Sequence, residues 1–138
     1  MQNEETIMNF IKKHNLAVLA TSSRDGKPEA ATIEFSETQD LELIFDTFSS
    51  YRKYKNLKDN PNVAVVIASG QTSVQYEGIA HELNGKELEK YQKIHVKKLP
   101  DSEKFIKMEG IKVFKIIPKW IRYTDVSASP WKQFEIKF

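Results

Sequence analysis

The apolar residues of this chain come in short runs, of which the longest are Leu16–Ala20 and Val63–Ala68. Each is bounded by turn-forming residues. Runs of that length suit buried strands, whereas a membrane-spanning helix needs ~20 consecutive apolar residues. Leu16–Thr21 is followed by Ser22-Ser23-Arg24-Asp25-Gly26-Lys27, whose Asp-Gly pair is a hairpin signal. On the returning strand Pro28–Phe35, Ala31, Ile33 and Phe35 share one face and Thr32 and Glu34 the other. A polar turn at Ser36–Asp40 leads to a third strand, Leu41–Thr47, in meander order. Val63–Ala68 and Thr72–Glu82 predict two more, the second bent or bulged near Gly78. Ile111–Ile117 and Trp120–Asp125 read as separate strands divided by Pro118, and Gln133–Phe138 closes the sheet.

Helical spacing appears in Asn3–His14, with Asn3 as N-cap, in the basic segment that Pro61 stops, and in Lys86–Val96. A further short helix opens at Pro100. The sum predicts an α+β, mainly β protein: an antiparallel, six- to seven-stranded split β-barrel with short helices at its ends. At 138 residues, 40% hydrophobic and 29% charged, the chain is expected to be a single domain, 1–138. It has no cysteine, which removes disulfides, thiolate metal sites and a Cys nucleophile. With acids at the N-terminus and no export signal, the expected location is cytoplasmic. A net charge of +2 is too small for a protein that coats DNA or an anionic membrane.

One helix start breaks a local rule. Asn3-Glu4-Glu5 and Pro100-Asp101-Ser102-Glu103 place acids where the helix dipole favours them, but the helix after Thr47 opens on Arg52 and Lys53, with Lys55 and Lys58 behind. No acid lies between Asp46 and Asp59. Cations in a first turn oppose the dipole, and such inconsistencies concentrate at functional sites. An anion there reverses the balance: backbone N–H groups, dipole and two cations then all face one phosphate. Thr47, Ser49 and Ser50 add hydroxyls, which the serines also offer as N-caps. The competing reading is a solvated basic helix face.

The segment Phe45-Asp46-Thr47-Phe48-Ser49-Ser50-Tyr51-Arg52-Lys53-Tyr54-Lys55-Asn56-Leu57, followed by Asp59-Asn60-Pro61-Asn62-Val63, resembles the strand–loop–helix of the pyridoxamine 5′-phosphate oxidase-like FMN-binding split barrels, especially their general stress protein 26-like branch. The resemblance runs from about Ile7 to Asp125. It implies that Thr47 ends a strand and that Arg52 and Lys53 grip the FMN phosphate, with Ser50 as a hydroxyl donor and Asp46 beside them. It also implies that Thr32, Ile33 and Glu34 run along the isoalloxazine, and that Ser73 stands where the oxidases usually carry Gln. Tyr51 occupies a position that is commonly Ser in the oxidases. The oxidases hold vitamin B6 phosphate with Arg and His near the C-terminus, and after Gly110 this chain has Arg122 as its one Arg and no His. The resemblance thus implies an FMN-binding oxidoreductase acting on an unidentified small molecule or electron donor, not a true pyridoxamine phosphate oxidase. It further implies a homodimer with flavin at the interface.

A flavin brings its own redox chemistry, so no acid–base constellation is required of the protein. Tyr51, Tyr76 and Trp131 are candidate walls for a stacked donor, although ordinary core or interface packing is the better reading for any one of them. His14, His81 and His95 are widely spaced and read as helix-end, strand and surface histidines, with no metal-ligand pattern. Glu34 and Asp46 read as solvated strand carboxylates. Two other classes stay open: an OB-like single-strand nucleic-acid binder, against which the strands' acids weigh, and a flavin-free dimeric interaction module. Deazaflavin and haem remain alternative ligands.

Overall fold

In a computed structural model, which describes residues 2–138, most of the strands form one strongly curled antiparallel sheet. In chain order the elements are α1 (Gln2–Ile11), β1 (Leu16–Ser22), β2 (Pro28–Glu34), β3 (Ser36–Glu37), β4 (Leu43–Phe48), α2 (Arg52–Asp59), β5 (Asn62–Ser69), β6 (Thr72–Glu82), α3 (Gly85–Lys98), α4 (Glu103–Ile106), β7 (Ile111–Asp125) and β8 (Lys132–Lys137). A single 3₁₀ turn, Pro100–Ser102, precedes α4. The sheet order is β2-β1-β5-β6-β7-β4-β3, with β8 paired to the far half of β7. Curling brings β2 and β4, distant along that path, against each other. The result is the expected split barrel, with eight strands once the two-residue β3 is included.

Alternation builds the core. Every second residue of β1, β5 and β6 points inward, so Leu19, Val65, Ile67, Val74 and Tyr76 are buried together with Phe35, Phe45 and Ile121. α1 plugs one end with Ile7 and Ile11, both essentially inaccessible. A smaller cluster of Ile44, Leu83, Tyr91 and Val113 seats α3 on the outside of β4 and β7. Lys98 ties α3 to the first helix's end: its ammonium donates to the His14 carbonyl at 2.6 Å and pairs with Glu37 at 2.5 Å.

Several sequence expectations are corrected. Pro118 does not divide two strands, because Ile111–Asp125 is one 15-residue strand. Glu77 pairs with Trp120 and Gly78 with Pro118, so Lys119 is the extra residue of a bulge that accommodates the missing proline N–H. This is the bend expected near Gly78, and it fixes why that residue is glycine. A Cβ there would run into the Ile117 carbonyl oxygen and lie 2.7 Å from Ile116 Cγ2. Gly78→Ala is therefore expected to destabilise the fold by ~1–3 kcal/mol, read as a lower urea midpoint at unchanged slope.

Asn3 lies inside α1 and is not its cap. Ser36 is not part of a polar turn: it starts β3 and is fully buried. The serines before α2 do not cap it either, since Tyr51 occupies the cap position and no side chain bonds to the free N–H groups.

Candidate functional site

The N-terminus of α2, the end of β4 and the outer face of β2 meet at a cleft with two compartments that share Tyr51 and Lys53. The outer one, about 430 Å³, is lined by Ala30 and Ala31 of β2, Glu29, and Ser50, Tyr51, Arg52 and Lys53 of the helix start. The inner one, about 360 Å³, is lined by Thr32, Ile33 and Glu34 on one side and Asp46, Thr47 and Phe48 on the other, with His95, Ser102 and Phe105 at its back. Each falls within the ~300–1,000 Å³ typical of small-molecule sites.

The outer compartment is built for an anion. α2 starts at Arg52 without a side-chain cap; the Tyr54 N–H returns to the Tyr51 carbonyl at 3.1 Å, which leaves the N–H groups of Arg52 and Lys53 for a ligand. No acid occupies that turn. Arg52 is largely exposed and leans on Glu29 at 3.3 Å, while Asn56 steadies the same carboxylate with a 2.8 Å hydrogen bond. Lys53 is partly buried, with its ammonium 5.2 Å from the Tyr51 ring centre. Burial holds the Lys53 ammonium below its ordinary pKa, partly offset by Asp46. An entering phosphate would add a second counter-charge beside Asp46 for the Lys53 ammonium and would compete with Glu29 for Arg52.

The inner compartment holds an unsatisfied group. Thr47 is 3% exposed, and its hydroxyl is buried with no hydrogen-bond partner. A buried hydroxyl in that condition costs ~1–3 kcal/mol, which a bound ligand's donor or acceptor would recover. Thr47→Val is accordingly expected to raise the urea midpoint of the ligand-free protein while weakening the binding of a ligand in the inner compartment. Opposite signs in the two titrations separate a ligand-facing hydroxyl from a packing residue.

Electrostatics in the inner compartment centre on Asp46. Burial raises its pKa, Glu34 across the cleft raises it further, and Lys53 pulls it back. Behind it lies His95, 2% exposed, with Nδ1 2.7 Å from Ser36 Oγ and Nε2 3.7 Å from Asp46 Oδ2. Burial and the nearby Lys98 push His95 down to about 4, so the imidazole is neutral at pH 7.

Of the residues predicted from sequence, the fold brings Thr32, Ile33, Glu34, Asp46, Thr47, Ser50, Arg52 and Lys53 to this cleft. Ser73 is elsewhere, on β6 between Ala68 and Thr124 and away from its own chain's cleft. Tyr51 is a wall of both compartments. Tyr76 is not a wall, being buried in the core with its hydroxyl on the Leu41 and Ile116 carbonyls. Trp131 is 65% exposed and lines neither compartment. Glu34 is exposed as expected, but Asp46 is not a simply solvated acid, since it is partly buried in the inner compartment, where Glu34 helps to raise its pKa. His95 is not a surface residue. Its spacing of four from buried Tyr91 on α3 was the signal, and the polar register of that helix concealed it.

Residues 4–125 match the family described as pyridoxamine 5′-phosphate oxidase. The chain belongs to the pyridoxamine 5′-phosphate oxidase family. The pyridoxine/pyridoxamine 5′-phosphate oxidase of Ehrlichia ruminantium (strain Welgevonden) is 32% identical over 90 residues, covering 64% of this chain and 46% of the relative. The chain thus spans less than half the length of that curated oxidase. General stress protein 26 from Bacillus anthracis str. Sterne superposes with a TM-score of 0.71 at 21% identity, over 100% of both chains. A heme binding protein from Mycobacterium smegmatis superposes at 0.76 with 18% identity, covering 89% of this chain and 52% of that one. Membership of the pyridoxamine 5′-phosphate oxidase family accounts for the split barrel and for the strand–loop–helix around the cleft.

Proposed function

We propose that this family member binds FMN in the two-compartment cleft, with the phosphate at the N-terminus of α2 and the isoalloxazine along β2 and β4, and that it serves as a flavin-dependent oxidoreductase for a small molecule. The observation that carries the reading is the conjunction at one cleft of an acid-free, uncapped helix start bearing Arg52 and Lys53 with the orphaned Thr47 hydroxyl. The residues fit the group: cations and free N–H groups suit a phosphate, and the walls suit a planar ring with polar edges. A bound flavin supplies hydride or single-electron transfer. The chain's own residues hold the phosphate (Arg52, Lys53, Ser50), orient the ring (Thr32, Ile33, Glu34, Thr47) and wall it off from water with Tyr51.

Two copies complete the site in this reading. The outward faces of β1 and β5 carry Leu16, Val18 and Val66, which are 59%, 44% and 42% exposed, with Val18 directly opposite Val66. That apolar strip reaches the cleft at Leu16, which lines the inner compartment. Its burial against a second chain would cover the open side of the cleft, and Ser73, remote from its own cleft, would then serve the partner's.

The test is a visible spectrum of the purified protein, titrated separately with FMN and with haemin. Flavin bands shifted from those of free FMN, with quenched fluorescence and saturation at one FMN per chain, support the reading. A sharp Soret band with haemin and no change with FMN overturns it. Haem would need an axial ligand, and the histidine at this cleft, His95, is buried with Nδ1 already engaged by Ser36.

A further inference from the structure

Three elements bring Ser36 (β3), His95 (α3) and Asp46 (β4) into line behind the inner compartment, and holding a flavin does not by itself call for them. Ser36 is fully buried and its hydroxyl has one hydrogen-bond partner, His95 Nδ1 at 2.7 Å. Donating that O–H satisfies the serine and leaves the imidazole proton on Nε2, which faces Asp46 Oδ2 at 3.7 Å. His95 thus sets its Nε2 beside the carboxyl, just beyond hydrogen-bond length, while Asp46 itself lines the cavity. The charged groups around Asp46 are few. Glu34 lies on β2 and Lys53 on α2, and His95 on α3 is neutral; the residue paired to Asp46 on β7 is Val113. Two carboxyls thus share the compartment with one ammonium, and a flavin brings more negative charge.

We propose that Asp46 recognises the bound ring as a neutral carboxylic acid, donating a hydrogen bond to an acceptor atom of the ligand, and that Ser36 and His95 position it for that role. The inference rests on the flavin reading and deepens it. Ligand and proton enter together: the complex holds a proton on Asp46 that the free protein loses as pH rises. The upward displacement of its pKa by burial and by Glu34 agrees with this assignment. An amide in place of the carboxyl keeps a donor at the same place and carries no charge, so Asn is the informative replacement.

The experiment is FMN binding by fluorescence quenching from pH 5 to pH 9, with calorimetry in two buffers of different ionisation enthalpy, on the wild type, Asp46→Asn, Asp46→Leu and His95→Leu. Beyond the ionisation of the FMN phosphate at about pH 6, which all variants share, the wild-type Kd is expected to weaken toward tenfold per pH unit once Asp46 ionises in the free protein, with a proton taken up by Asp46 on binding. Asp46→Asn is expected to bind within threefold of the wild type's low-pH affinity, to keep only the pH dependence of the FMN phosphate, and to take up about one proton fewer than the wild type above the Asp46 midpoint. Asp46→Leu, lacking the donor, is expected to bind at least tenfold more weakly at every pH. His95→Leu replaces a polar neighbour of the carboxyl by an apolar one, deepening its desolvation, and is expected to move the pH midpoint upward, which loss of packing alone would not do.

A wild-type Kd that is the same at every pH, with no proton taken up, overturns the proposal while leaving flavin binding intact. So does Asp46→Asn with an unaltered pH profile. Absence of FMN binding at any pH overturns the flavin reading and the proposal with it. Thermal unfolding of each variant separates a misfolded protein from an altered site, and Asp46→Asn, nearly isosteric, keeps the test available if His95→Leu does not fold.

Discussion

Replacing Arg52 and Lys53 together by alanine is expected to weaken FMN binding by ~10²–10³-fold while leaving the fold in place. The estimate comes from the environment of each side chain. Hydrogen bonds to charged groups contribute ~1.5–3 kcal/mol. Arg52 belongs at the lower end of that range, because its side chain is 69% exposed and already shares Glu29. Lys53 belongs higher, because burial removes part of its water and leaves Asp46 as its main compensation. Equilibrium titration of the single and double variants with FMN provides the measurement, with riboflavin as the control. Riboflavin lacks the phosphate, so its affinity should change less than threefold. An equal loss for both ligands would mean that the two cations shape the cleft without touching the phosphate. No loss for either would remove the phosphate site from the helix start.

The second large effect is on stability and comes from His95. An unfolded chain protonates this histidine near 6.5, whereas the folded protein resists protonation down to about 4 because the imidazole is buried beside Lys98. Between those values the unfolded state binds more protons, so stability falls as pH falls. The contribution is complete above pH 6.5 and is lost progressively toward pH 4. At about 1.4 kcal/mol per pH unit, that interval bounds the loss at roughly 3 kcal/mol. Asp46 acts with the opposite sign. Its raised pKa favours the folded state at low pH, and that contribution disappears as pH rises through the folded value. Urea titrations between pH 4 and pH 7 in an Asp46→Asn background isolate the histidine. The unfolding free energy is expected to drop steeply there, and to drop much less once His95→Gln is added. The same slope in both would mean that His95 is protonated in the folded protein.

The fold was legible wherever alternation and turn chemistry agreed. The Asp25-Gly26 hairpin, the buried strand at Val63 and the bend at Gly78 all appear as the residues predict. Pro118 misled because a proline reads as the end of a strand, yet opposite a glycine a bulge absorbs it. Ser36 misled because a polar residue beside Thr38, Gln39 and Asp40 looks like turn composition. Its burial depends on a histidine 59 residues away, and a pairing at that distance leaves no local trace.

The candidate site divides the same way. Arg52 and Lys53 stood out because they oppose a helix dipole, an inconsistency visible in a few consecutive residues. Thr47 stands out as a hydroxyl beside that helix start, and Asp46 comes from the resemblance around the same segment. Glu29 has no such signal and His95 reads as a surface histidine, because their importance arises only when β2 and α3 fold against that segment. Ser73 lines neither compartment, so the resemblance that singles it out has no counterpart in the cleft of a single chain. No helix among the described residues is long and apolar enough to cross a membrane.

The central claim is that the start of α2 holds a flavin's phosphate, and comparing FMN with riboflavin on the unmodified protein tests it most directly. The account predicts that both quench on binding and that FMN binds at least tenfold more tightly, with the difference shrinking as salt is added. Equal affinities for the two, or binding of neither, would contradict it.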